Sequence, residues 1–356
     1  MTTQQVVDQA KVEAFMGKAM TDLVSAVTTV MASIGDRLGL FKALAEAPAT
    51  SAELARRAGI DERYAREWLN EMASAAYLKY DPVSQHFTLP PEHVPVLAQE
   101  GGLFFLGAAY QMLMAEVGPF NQLLQAFRQG DGVPMEAYGP DLWEGQARFS
   151  GGLFEHLLVP VWLTAMPEVL AKLERGALVA DVGCGQGRAL IKLAQSYPQS
   201  RYVGYDLFAP SVAKATANAQ AAGVTDRVRF EQLDVSEGLP EQYDVITTFD
   251  VVHDAVSPLR LLRAIREGLR PDGRYVCMET NGSDKLEENA GLLGSLFYGV
   301  SVLYCMTTSL AHHGEGLGTL GLPETKLRKL CAEAGWSSVR RVPIELPFNN
   351  LYEVTP

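Results

Sequence analysis

The chain has 356 residues, 47% of them hydrophobic and 20% charged, long enough for two domains at roughly 150 residues each and too apolar for a disordered or low-complexity protein. Its 30 lysines and arginines face 42 aspartates and glutamates, a formal charge of −12, so the overall field repels polyphosphates and anionic lipid. Cys184, Cys277, Cys305 and Cys331 show neither C-x-x-C spacing nor paired histidines; no metal and no disulfide framework is expected, and the usage fits a reducing, cytoplasmic setting.

In chain order, the opening MTTQQVVDQAKVEAF has no basic segment followed by an apolar one, so no secretory leader is expected. Between residues 12 and 46, Val12, Phe15, Met16, Met20, Leu23, Val27, Val30, Met31 and Ile34, then Leu38, Leu40, Phe41 and Leu44, recur at helical spacing. A helix apolar on more than one face needs extra cover, which predicts a homodimer contact, with packing against its own chain as the alternative. Thr50 to Glu53 has the form of a capping box opening SAELARRA, which Gly59 stops. Asp61 caps the next helix, with Tyr64, Trp68, Leu69, Met72 and Ala76 expected on one face, and YLKYD and HFTL flank a turn. Helix, turn, helix and hairpin make a winged helix. Its second helix carries Asp61, Glu62, Glu67 and Glu71 against only Arg63 and Arg66, so no nucleic acid is expected in its grip. Residues 1–100 thus read as a helical and winged-helix dimerisation domain.

Gly101 to Pro119 is apolar but flanked by Glu100, carries Glu116, and is broken by Gly107 and Gln111. It falls short of the ~20 residues that span a bilayer and predicts a buried helix, with no membrane role. Residues 101–175 are helical and rich in aromatic residues, and GDGVPMEAYGPD at 130–141 joins two helical groups; the region is expected to link the domains and cover a pocket. From Leu178 strands alternate with helices: LVADVG, RYVGYD, VRFEQLD, YDVITTFD and GRYVCMET. That alternation predicts a parallel sheet with helices on both faces and ligands at the carboxyl ends of the strands.

The first of these strands ends in Asp181-Val182-Gly183-Cys184-Gly185-Gln186-Gly187. Glycines there let the backbone turn sharply against a ligand, but the spacing is G-x-G-x-G, and Arg188 stands where a dinucleotide loop needs a small residue. D-V-G-C-G-x-G resembles the class I S-adenosylmethionine-dependent methyltransferases. The resemblance implies a Rossmann-like α/β sheet over residues 176–356, behind a mostly helical winged-helix domain, with S-adenosylmethionine as cofactor and S-adenosylhomocysteine as product. It implies that Asp181, Gly183, Cys184, Gly185 and Gly187 form the cofactor loop. Asp206 with Leu207 would meet the ribose, Asp234 with Val235 the adenine, and Asp250 the methionine moiety.

Asp250-Val251-Val252-His253-Asp254 is similar to the segment after the fourth strand in small-molecule O-methyltransferases of the caffeate and hydroxyindole type. That resemblance makes His253 the general base for an aromatic or phenolic acceptor hydroxyl and Glu279 the residue that orients it; Ala255 to Pro258 lack the tryptophan-containing stretch of that family. The other reading is that His253 only orders its loop. Bacterial winged-helix methyltransferases are a further resemblance, through the same motifs and a closing Pro347-Phe348-Asn349. Residues 281–321 form an insertion expected to cap the acceptor site, with Phe297, Tyr298, Tyr304, Cys305 and Met306 as substrate liners, while His312 and His313 read as loop. The leading expectation is O-methylation of a small molecule. N- or S-methylation is the alternative within the class, and a winged-helix regulator that senses S-adenosylmethionine is the alternative outside it.

Overall fold

Asp8 opens the first helix by accepting hydrogen bonds from the amides of Ala10 and Lys11, and the helix runs Gln9–Arg37. Gly39, at φ 68°, turns the chain into a second helix, Leu40–Glu46. The computed structural model describes residues 7–356, in two compact units, one ending at Met114 and the other spanning Ala115–Pro356; the 101–175 region therefore belongs partly to each.

In the first unit the capping box forms as expected. The Thr50 hydroxyl accepts from the Glu53 amide and Glu53 accepts from the Thr50 amide at 2.8 Å, opening Ser51–Ala58. Asp61 caps Glu62–Ser74, whose Trp68, Leu69 and Met72 pack with Leu40, Phe41, Leu44 and Leu54. The Trp68 indole donates to the Met31 carbonyl at 2.8 Å. Tyr64 lies in solvent and Ala76 beyond the helix end. Ala65 takes the expected place of Tyr64 on the buried face. Strands β1 (Lys79–Asp81) and β2 (His86–Thr88) close the wing as an antiparallel hairpin. The apolar stretch after residue 100 is helical only over Gly107–Glu116. Along Gln9–Arg37 the residues buried are Thr28, Ala32, Ser33, Gly35 and Asp36, whereas Phe15 and Met16 are 70% and 63% exposed and Met20, Leu23 and Val27 are exposed with them.

The second unit is built on a sheet of seven strands. They are β3 (Leu178–Val182), β4 (Arg201–Asp206), β5 (Val228–Gln232), β6 (Tyr243–Phe249), β7 (Leu269–Thr280), β8 (Ser338–Arg341) and β9 (Asn349–Thr355), in the order β5-β4-β3-β6-β7-β9-β8. β3 to β7 are parallel, as expected; β9 runs antiparallel beside β7, and β8 antiparallel beside β9. The reversal follows from the short connection between β8 and β9, which is too brief for the crossover that parallel neighbours require. The chain winds outward from β3 in both directions, so the crevice at a topological switch point opens at β3's carboxyl end. Two clusters fill the two faces of the sheet, one including Trp162, Val179, Leu190 and Tyr202, the other Ala180, Val203, Ile246 and Leu262.

Two segments of this unit are π-helical: Phe154–Trp162, which contains Pro160, and Ser301–Cys305, between helices Leu292–Val300 and Met306–Ala311. By length and composition the continuous run Leu292–Ala311 is apolar enough to cross a membrane. Here its Ser301, Tyr304 and Cys305 are buried in the fold.

Candidate active site

At the end of β3 the chain makes three left-handed turns in five residues, with φ of 69°, 51° and 77° at Gly183, Gly185 and Gly187. Close approach as well as dihedral angle demands glycine at two of them. A Cβ on Gly183 would stand 2.6 Å from the Val251 side chain, and one on Gly187 2.4 Å from the Phe230 ring. The amides of Gly183 and Cys184 donate to the Tyr205 carbonyl at 2.8 and 3.0 Å, which ties the loop to the end of β4. Cys184 is buried beside it. Arg188 begins the following helix, Arg188–Ser196, with its side chain in solvent.

The strand-end carboxylates divide into two kinds. Asp181 is buried and accepts from the Thr247 hydroxyl at 2.5 Å; burial, with Asp206 adding to it, pushes its carboxyl up to about 7. Asp206 accepts from the amides of Gly185 at 2.8 Å and Phe208 at 2.9 Å, clasping the glycine loop, and burial raises it despite those bonds. Asp250 holds φ 57° and accepts from the Asn349 amide side chain at 2.7 Å; burial again dominates and places it at about 7. Asp234 is exposed and caps the short turn Val235–Glu237 by accepting from the Ser236 amide, with Val235 buried. Leu207 is exposed, its carbonyl accepting from Gln232.

This frame suits a cationic ligand. The loop has no Cβ on three of its five residues, three acidic side chains face the same strand ends, and no lysine stands in the loop to hold a phosphate. The arrangement therefore fits a sulfonium group, with the amides at the start of Arg188–Ser196 available to a carboxylate.

Just beyond Asp250, His253 and Glu279 form a buried pair, 4% and 1% exposed, with Nδ1 to Oε2 at 2.6 Å. The other Glu279 oxygen accepts from the Val252 amide at 2.8 Å, so both ends of the carboxylate are fixed. Burial alone would depress the imidazole, but Asp254 and Glu279 outweigh it and hold His253 well above the ordinary histidine value.

The π-helical turn Ser301–Cys305 delivers Tyr304 and Cys305 to this place. The Cys305 sulfur lies within 4.8 Å of a His253 ring nitrogen and an Asp254 oxygen. Tyr304 packs edge-on against Tyr138 at 5.3 Å and Trp143 at 6.0 Å, and Trp143 meets Phe208 at 4.6 Å. Gln186 donates to the Trp143 carbonyl, so an aromatic wall runs from the glycine loop to Cys305. Of the other expected liners, Phe297 packs on Phe348, itself near Phe149; Met306 is half-buried, and Tyr298 is exposed with its hydroxyl accepting from Asn289. His312 and His313 are exposed at a helix end, as expected of loop residues. Asp254, Tyr138, Trp143 and Asn349 were not among the expected site residues. Asp254 follows His253 directly and Asn349 closes the P-F-N segment, so both had a local signal; the two aromatics had none.

Residues 26–99 match the Rv2258c-like winged HTH domain family and residues 180–275 the methyltransferase domain family. The fold is that of a class I methyltransferase preceded in the chain by a winged-helix domain. The mitomycin 7-O-methyltransferase MmcR is similar over 98% of this chain and 99% of its own, with TM-score 0.71 and 19% identity. Human N-acetylserotonin methyltransferase, solved with SAM, covers 99% of both chains at TM-score 0.67 and 18% identity. In sequence, the ubiquinone biosynthesis O-methyltransferase of Roseobacter denitrificans is 30% identical over 111 residues, 31% of this chain and 44% of that protein. The chain spans half or less of the length of the curated relatives it matches.

Proposed function

We propose that this protein transfers a methyl group from S-adenosylmethionine to a hydroxyl of a small aromatic molecule. The observation that carries the reading is the buried His253–Glu279 pair directly beyond the strand-end carboxylates and the triple-glycine loop. Asp181, Gly183, Cys184, Gly185, Gly187 and Asp250 would hold the methionine part of the cofactor, Asp206 with Leu207 its ribose, and Asp234 with Val235 its adenine. The bound cofactor supplies an electrophilic methyl on a positively charged sulfur. What the chain adds is placement and proton removal. Glu279 accepts the Nδ1–H of His253 and fixes the ring, leaving Nε2 to take the acceptor's hydroxyl proton. Tyr304, Cys305, Met306, Phe297 and Tyr298 would contact the acceptor from the 281–321 cap.

The exposed apolar face of Gln9–Arg37 supports a homodimer through residues 12–46, and the reducing-type cysteine usage supports a cytoplasmic setting. The test is transfer of labelled methyl from S-adenosylmethionine to a panel of phenols, amines and thiols. Labelling of a phenol is expected; labelling of amines or thiols alone would replace O-methylation with N- or S-methylation.

A further inference from the structure

The acceptor side of His253 is crowded by two other donor atoms of different chemistry. Asp254 Oδ1 lies 3.2 Å from Nε2 yet is buried without a hydrogen bond. A ring nitrogen of His253, an Asp254 carboxylate oxygen and Cys305 Sγ all lie within 4.8 Å of one another. We infer that His253, Asp254 and Cys305 form a binding site for a thiophilic divalent cation of the zinc class, placed on the nitrogen that would otherwise take the acceptor's proton.

Two features support this. An imidazole, a carboxylate and a thiolate are the ligand types zinc takes, and three protein ligands leave a fourth position open. The outer contacts are also those of a metal centre: Glu279 accepts from His253 Nδ1 at 2.6 Å, as the carboxylate behind a metal-bound histidine does, and the Thr319 hydroxyl donates to Cys305 Sγ at 3.1 Å. A second convergence, Asp250, His253 and Glu279, is a poorer site. Asp250 is bonded to Asn349, and Glu279 to Val252 and His253. Sequence spacing hides the set, since Cys305 is 51 residues from Asp254.

Coordination displaces the Cys305 thiol proton and the Nε2 proton of His253 to solvent and forms one bond from each donor to the metal. Occupancy takes the Nε2 lone pair, so zinc and proton acceptance exclude each other; this consequence rests on the base role proposed above, whereas binding itself does not. The test is titration of the full-length protein with Co2+ alone, read by absorbance. One equivalent is expected to give a thiolate-to-cobalt charge-transfer band and visible d–d bands, both displaced by Zn2+. Cys305→Ser removes the charge-transfer band, Glu279→Gln weakens cobalt binding ~10–100-fold, and Cys331→Ala, which alters a thiol of the sheet core, changes neither. Asp254→Asn provides a second ligand variant, with circular dichroism verifying the fold of each, and is expected to weaken binding. Absence of a thiolate band, or a band that survives in Cys305→Ser, overturns the site whatever the methyl-transfer screen returns.

Discussion

Asp181 shows how far burial sets the chemistry of a single side chain. Its proton is held more tightly in the folded chain than in the unfolded one, so the stability it contributes below pH ~4 falls as the pH rises towards 7 and stays lost above it, by about 4 kcal/mol at most. Asp181→Asn keeps a partner for Thr247 and removes that slope. Urea denaturation at pH 5 and pH 8 should therefore show wild type losing stability relative to the variant, and parallel profiles would refute the account. A cationic cofactor favours the ionised form, so its binding should weaken in the same variant. His253→Ala is expected to lower turnover by ~10²–10⁴-fold with cofactor affinity unchanged, and near-normal turnover would reduce His253 to a structural residue. The carboxylates, His253 and Glu279 were legible in the sequence because each lies within four residues of a strand's carboxyl end. The contact of Cys305 with His253 was not, since it depends on how a distant cap folds back. Asp234 shows the opposite limit: a strand-end aspartate that, in this structure, caps a turn.

Among the elements, the glycine loop makes the sharpest demand on sequence. Gly187→Ala places a methyl 2.4 Å from the Phe230 ring at a φ of 77°, which should cost about 2–4 kcal/mol in denaturant unfolding and weaken cofactor binding with it. A fully stable variant with normal affinity would mean that the loop does not cradle the ligand. The winged helix and the parallel strands were readable from capping residues and from alternating apolar runs, which are local signals. The π-helical turns were not, because their register is set by what they pack against; Ser301–Cys305 looks in sequence like the middle of one apolar helix. The antiparallel placement of β9 between β7 and β8 was equally hidden, since period-two patterning fixes the faces of a strand and leaves its direction open.

For the molecule as a whole, the acidic balance and the two domain types were legible, while the use of the first helix was only half visible. Its periodicity announced an apolar helix in need of further cover, but not which of its residues its own chain would bury. Light scattering at micromolar concentration should return twice the chain mass, and Phe15→Glu with Met20→Glu should halve it; a monomeric wild type would remove the dimer from the account. The central claim is that the loop at Gly183 to Gly187 and the carboxylates around it hold S-adenosylmethionine. Isothermal titration calorimetry of the full-length protein with S-adenosylmethionine tests it most directly. Saturable binding at one site per chain, weakened in Asp206→Asn, is expected; no binding heat at any workable concentration, with the protein folded, would rule this cofactor site out.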